Sequence, residues 1–190
     1  ASSADNYALQ FDGGDYYIIQ NLTIQRSGTD SYARVVVLEN DANSNQIKNN
    51  VLVGQNYSGS STNYTVLFSP STTDESDNKI MYNEIIDGGY GIHFDGSSST
   101  PESGVVIQYK NVHDFSYTGV RAEYISGVMI QENEIIANSS AAYSTNYGIY
   151  AYYCDDNIVI DKNKIEIWGS SSNYGMYIYY CDALSGNEGL

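Results

Sequence analysis

One repeat unit limits what this chain can fold into more than any other feature. Tyr147-Gly148-Ile149-Tyr150-Ala151-Tyr152-Tyr153-Cys154-Asp155 is followed by Asp156-Asn157-Ile158-Val159-Ile160-Asp161-Lys162-Asn163-Lys164-Ile165-Glu166-Ile167. Alternation in this stretch predicts three short strands, with Ile149 and Ala151, then Ile158 and Ile160, then Ile165 and Ile167 turned inward. Strands this short cannot close a core alone. They must stack on equivalent strands of neighbouring coils, which is the physical logic of a solenoid.

Further copies run along the whole chain. The first strand type recurs near Leu9-Gln10-Phe11, Val36-Val37-Leu38, Val66-Leu67-Phe68, Ile92-His93-Phe94, Val120-Arg121-Ala122, Ile149-Tyr150-Ala151 and Met176-Tyr177-Ile178. The second and third strand types meet at Asn21, Asn50, Asn83, Asn111, Asn133 and Asn163, with one extra residue in Ile107 to Asn111. Intervals of 29, 33, 28, 22 and 30 between these residues suit loops of free length between stacked strands. Asn fits such a corner because it tolerates the left-handed backbone and can bond the amide of the next coil, and Gly before each first strand is the matching device at the next corner. Polar loops at 54–63, 69–78, 96–104, 137–146 and 169–173 should project from the coils. The expected fold is all-β, a right-handed parallel β-helix of about seven coils spanning 1–190 as a single domain. The repeat starts and stops abruptly, so the expectation is a longer chain that carries the caps and targeting segments.

The pattern of Gly-Ile-x-φ strand, φ-x-Ile strand, Asn corner and Asn-x-Ile strand resembles the right-handed parallel β-helix repeats of pectin-lyase-like and copper-processing periplasmic proteins. The Tyr-rich, acidic, Ser/Asn-looped texture also resembles surface β-helix proteins of methanogenic archaea, including disaggregatase, an enzyme that breaks down envelope polysaccharide. These resemblances imply an extracellular or cell-surface protein acting on an extended envelope or uronate glycan. The polygalacturonase motifs Gly-His-Gly and Arg-Ile-Lys are missing, although Asp155-Asp156 resembles the paired acids of that branch.

With eight Lys+Arg against 23 Asp+Glu, the formal charge of −15 repels nucleic acid and anionic membrane surfaces. No apolar run reaches the length of a bilayer span, so membrane insertion is not expected, and residues 1–5 do not read as a secretory signal. Twenty Tyr against four Phe point to half-exposed aromatic strand faces.

In-register stacking places equivalent residues about 4.8 Å apart, so the alignment predicts outward columns. One is Gln10, Val37, Leu67, His93, Arg121, Tyr150, Tyr177, and its neighbour is Asp12, Glu39, Ser69, Asp95, Glu123, Tyr152, Tyr179. Asp95 and Glu123 become adjacent carboxylates beside His93 and Arg121. Such a pair can split its pKa values and act as acid and base, the requirement of glycoside hydrolysis. For β-elimination from a uronate, Arg121 would neutralise the carboxylate and His93 take the proton. Asp12 and Glu39 extend the acids, and Tyr150, Tyr152, Tyr177 and Tyr179 offer stacking platforms for sugar rings along a long shallow cleft. The expected function is therefore a polysaccharide hydrolase or lyase, with Asp95, Glu123, His93 and Arg121 catalytic. The alternative is a non-catalytic surface-layer or adhesin module whose columns bind glycan or calcium, since outward strand positions are often charged and a carboxylate column can hold Ca²⁺.

His113 falls on a different face and reads as structural. Cys154 and Cys181 occupy the same place in consecutive coils, where parallel Cβ vectors favour stacked free thiols over a disulfide. Glycosylation sequons stand at Asn56, Asn63 and Asn138, while the one at Asn21 lies at a corner expected to be buried.

Overall fold

The computed structural model describes residues 6–28, 31–138, 144–168 and 172–182. Three parallel sheets form the walls of a solenoid. The first sheet stacks Tyr7–Asp12, Arg34–Glu39, Thr65–Ser69, Tyr90–Asp95, Thr118–Glu123, Thr145–Tyr152 and Ser172–Tyr179 in chain order, so each strand pairs with its counterpart one coil away. Six strands from Ile18–Gln20 to Val159–Asp161 make the second sheet, and six from Thr23–Gln25 to Lys164–Glu166 the third. All pairing among these strands is parallel and close to register. Residues 139–143 of the loop expected over 137–146, residues 169–171 of that expected over 169–173, and the residues after Asn138 in its sequon lie outside the described residues.

The core is built from columns of identical positions. Ile47, Ile80, Ile107 and Ile130 pair in sequence down the second sheet and are fully buried, as are Leu52, Ile85, Val112 and Ile135 down the third. Each such side chain contributes roughly 1.5–3 kcal/mol from removal of its apolar surface from water. Only the neighbouring coils provide that burial, which ties the stability of each coil to stacking.

The turn between the second and third sheets works differently from the sequence expectation. The left-handed residues are Asn21, Asn49, Tyr82, Tyr109, Glu132 and Lys162, with φ between 53° and 60°. In four of the six coils the next residue is Asn50, Asn83, Asn133 or Asn163, and its side chain carries the ladder, whereas Leu22 in the first coil is exposed and Lys110 replaces the amide in the fourth. Backbone N–H groups of Leu22, Asn50, Lys110 and Asn133 donate to the Oδ1 of Asn50, Asn83, Asn133 and Asn163 at 3.0–3.2 Å. The corner therefore divides two tasks between two residues: one adopts the strained backbone, and the other satisfies buried amides. Asn21 belongs to the first group and is exposed rather than buried. There is no extra residue at Ile107 to Asn111. Instead Lys110 occupies the ladder position, and Asn111 starts the next strand opposite Glu84 and Glu134.

The glycines before the first strands also have another reason than a left-handed turn. None of Gly91, Gly119 and Gly148 has positive φ; a Cβ on Gly119 would sit 2.5 Å from Ile135 Cγ2, and one on Gly148 would sit 2.4 Å from Ile165 Cγ2. Here the first sheet crowds the third, and only hydrogen fits.

The loop expected to project over 54–63 folds back instead, while residues 98–101 of the loop at 96–104 are exposed. Residues 55–64 lie against the edge of the first sheet through Tyr90 Oη to Ser60 O at 3.1 Å, Ser116 Oγ to Gly59 O at 2.9 Å, and a Tyr57–Tyr64 stack at 3.8 Å. Both cysteines are free, with Cys154 buried and its N–H donating to Cys181 Sγ at 3.4 Å.

Candidate functional site

Register determines which side chains meet on the outer face of the first sheet. Gln10 pairs with Val37, Val37 with Phe68, Phe68 with His93, His93 with Arg121, Arg121 with Tyr150, and Tyr150 with Tyr177. The column thus contains Phe68, not Leu67, because the third strand sits one residue further along than its apolar pattern suggested. The same shift turns Ser69 inward, opposite Phe94, where it is fully buried. In the second column Asp12 pairs with Glu39, Asp95 with Glu123, Glu123 with Tyr152, and Tyr152 with Tyr179.

His93, Asp95 and Glu123 come together, with one potential ligand atom of each within 4.8 Å of the others. This separation is shorter than the roughly 6.5–9.5 Å typical of inverting carboxyl pairs. Arg121 grips Glu123 at both oxygens, Nε to Oε2 at 2.9 Å and Nη2 to Oε1 at 2.9 Å, and His93 Nε2 lies 2.9 Å from Oε2. Burial opposes ionisation of Glu123, but the bonds from His93 and Arg121 outweigh it and pull its pKa down to about 2. The His93 ring is 2% exposed, and burial holds its pKa below the usual imidazole value. An ionised Glu123 can only accept, so His93 carries its proton on Nε2. Its Nδ1 is left as a buried acceptor without a partner among the described residues.

Asp95 behaves oppositely. It is half-buried, and burial raises its pKa, with His93 working against the shift and the Glu123 charge adding to it. The pair therefore separates in direction: Asp95 is held above the ordinary carboxylate value and Glu123 well below it. Of the four residues expected to be catalytic, Asp95 and Arg121 reach the surface, whereas His93 and Glu123 act from behind them.

The remaining predicted residues are on the expected face. Asp12 is exposed and accepts from Asn40 Nδ2 at 2.6 Å, and Glu39 is half-buried and accepts from Gln10 Nε2. Tyr150 stacks on Tyr177 at 5.3 Å and Tyr152 on Tyr179 at 5.6 Å, with Tyr147 on Tyr174 at 5.1 Å beside them. Arg121 Cζ sits 4.6 Å above the Tyr150 ring. Concavities lie at the two ends of the stack, near Met176 and near Phe11, and beside Gly54 and Asp87.

Sequence reasoning missed a buried acid pair behind this face. Ser69 Oγ lies 2.6 Å from Glu102 Oε1 and 3.2 Å from Glu75 Oε2, and both glutamates are fully buried. One hydroxyl proton serves two buried carboxyl groups at unequal distances, which favours the protonated form of a glutamate here. Burial raises both pKa values, that of Glu102 strongly. The inward Ser69 was the available signal, since a hydroxyl inside an apolar column demands partners. His113 bonds Asp114 Oδ2 at 2.7 Å and Glu84 Oε1 at 3.3 Å on the third sheet, away from His93. Asp155 and Asp156 lie at a corner, where they accept from Asp182 N–H and Ser126 Oγ.

Calcium fits the His93 trio poorly. It takes six to eight oxygen ligands, about 2.3–2.6 Å away. Here Arg121 already occupies both Glu123 oxygens, and the third member offers nitrogen.

The description of a right-handed β-helix region matches residues 71–188, more than half of the chain. The chain belongs to the right-handed β-helix family. This β-helix finds no match among curated proteins. The family includes polysaccharide-degrading enzymes alongside other proteins, so fold narrows the function without deciding it.

Proposed function

We propose that this β-helix acts outside the cell on an extended polysaccharide, which lies along the outer face of the first sheet. Sugar rings stack on Tyr150, Tyr152, Tyr177 and Tyr179, and Asp95 delivers a proton to the glycosidic oxygen. The observation carrying this reading is the opposed shift of two register neighbours in contact: burial pushes the Asp95 pKa up, while Arg121 and His93 hold that of Glu123 at about 2. Glu123 keeps charge beside the reacting centre, and His93 and Arg121 position it. Asp95→Asn is expected to lower depolymerisation by about 10²–10⁴-fold while leaving binding intact, the usual range for loss of a general acid. Tyr150→Ala with Tyr177→Ala should weaken binding itself. Unchanged reducing-end release by the Asp95 variant rules the role out.

A second reading is supported by the bidentate grip of Arg121 on Glu123, which leaves that carboxylate no free oxygen for attack on a sugar. In that case the face is a glycan-binding module. Glycan binding by the wild type without any product would decide for it.

A further inference from the structure

The first sheet presents four acids, Asp12, Glu39, Asp95 and Glu123, but only two cations, Arg34 and Arg121. Neither cation is available to an anionic ligand in the way a lyase site would need. Arg121 is held by both oxygens of Glu123 and covered on one side by Tyr150. Arg34 lies 3.8 Å over the Phe68 ring with Nε directed to Thr62 O, and Glu39 acts on it electrostatically. The acids are freer. The carboxylate oxygens of Asp12 and Glu39 accept from amide nitrogens, which leaves their charge uncompensated by any ion pair among the described residues. At formal charge −15 the field of the whole chain has the same sign.

The aromatic part of the face points the same way. Where the chain itself brings a cation to these rings, it rests on a face: Arg121 on Tyr150 at 4.6 Å and Arg34 on Phe68 at 3.8 Å. Beyond Arg121 the platform continues through Tyr177 and Tyr179 without another Lys or Arg on the sheet. The uncompensated carboxylates lie on the first two strands of the sheet and the tyrosines on the last two, so an extended ligand that spans the face meets ammonium-binding acids at one end and aromatic rings at the other, and no free cation for a carboxylate among the described residues.

Resting on the reading that this face binds a glycan, we infer that its ligand carries free amino sugars and is not a polyuronate. Sugar rings pack against the tyrosine columns, and ammonium groups further along the ligand meet Asp12 and Glu39. A polyuronate would bring like charges to the acid column, with no free guanidinium to neutralise them.

The test compares three hexasaccharides of matched length by calorimetry on the wild-type chain: β-1,4-linked glucosamine, its fully N-acetylated form, and α-1,4-linked galacturonate. Titrations run at pH 6 in low salt, in EDTA and again with millimolar calcium. The glucosamine hexamer is expected to bind at least about tenfold more tightly than galacturonate, the effect of one good charge contact, and to lose this advantage as salt rises. Asp12→Asn with Glu39→Gln should reduce the preference for glucosamine over the acetylated form, and an unchanged preference overturns the assignment of the ammonium groups to these acids. Equal or tighter binding of galacturonate, with or without calcium, overturns the inference but leaves glycan binding standing. If none of the three binds, both this inference and the glycan reading fall.

Discussion

Replacing Lys110 should stabilise the stack, and the structure supplies the size of the effect. Lys110 sits in the buried polar ladder between Asn83 and Asn133, 3% exposed, and its Nζ has no partner among the described residues. Burial drives its pKa far below the usual lysine value. An unpaired buried donor of this kind costs about 1–3 kcal/mol. The equivalent Asn133 shows what Lys110→Asn restores: Oδ1 accepts the N–H of the preceding coil at 3.2 Å, and Nδ2 donates to Ile107 O at 3.0 Å and to Asn163 Oδ1 at 2.8 Å. Two new bonds to Asn83 N–H and Ile80 O contribute about 1 kcal/mol each. Against this, three fewer buried methylenes cost about 0.8 kcal/mol apiece. The balance favours the variant by about 0.5–2.5 kcal/mol, or roughly 1–10 °C in Tm for a domain of this size. Lys110→Met keeps the apolar stem and removes only the amine, so it should also stabilise. The sign in pH follows from the lowered pKa. The unfolded chain binds a proton that the folded chain rejects, so the penalty is present at neutral pH and disappears as pH rises toward about 10.4. The gap between wild type and Lys110→Met should therefore narrow from pH 7 to pH 10 in thermal unfolding followed by circular dichroism. A lower Tm for both variants at pH 7, or a gap independent of pH, refutes the reasoning.

Glu123→Gln should destabilise the chain by about 3–5 kcal/mol, because it strands the Arg121 guanidinium in a largely buried site. With its pKa held at about 2, Glu123 contributes stability that is complete above the unfolded value and lost as pH falls from about 4.3 toward 2, so the variant should show a flatter acid limb in urea unfolding. An unchanged acid limb would contradict the ion pair. Glu102→Gln should have the opposite pH signature. Burial raises the Glu102 pKa, so its contribution is present at low pH and lost as pH rises through the folded value; the variant should gain on the wild type between pH 5 and pH 9 in thermal scans. A constant difference across that range would show that no proton is held there.

The sequence by itself determined that the chain coils. Inward Ile at Ile47, Ile80, Ile107 and Ile130 recurs with a two-residue alternation on either side, and no short strand of that kind has a core without a neighbour above and below. Because the coils stack in register, adjacency of Asp95 and Glu123, and of Tyr150 and Tyr177, followed from counting alone. Counting failed where a strand gave two apolar frames. Val66, Leu67 and Phe68 are all hydrophobic, and only packing against Ile92 and His93 selects the frame that turns Ser69 inward. It failed again at Lys110, since a lysine where the ladder has asparagine looks like an insertion until the neighbouring coils hold Ile107 opposite Ile80 and Ile130. Which carboxyl is pushed toward its protonated form was likewise beyond the sequence. Asp95 and Glu123 are the same chemistry on the same column. What separates them is three-dimensional: the direction of the Arg121 fork, the buried ring of His93, and the depth to which each acid sinks below the surface. Periodicity encodes neighbours along the axis, whereas charge states depend on solvent access and angles that appear only once the coils are stacked.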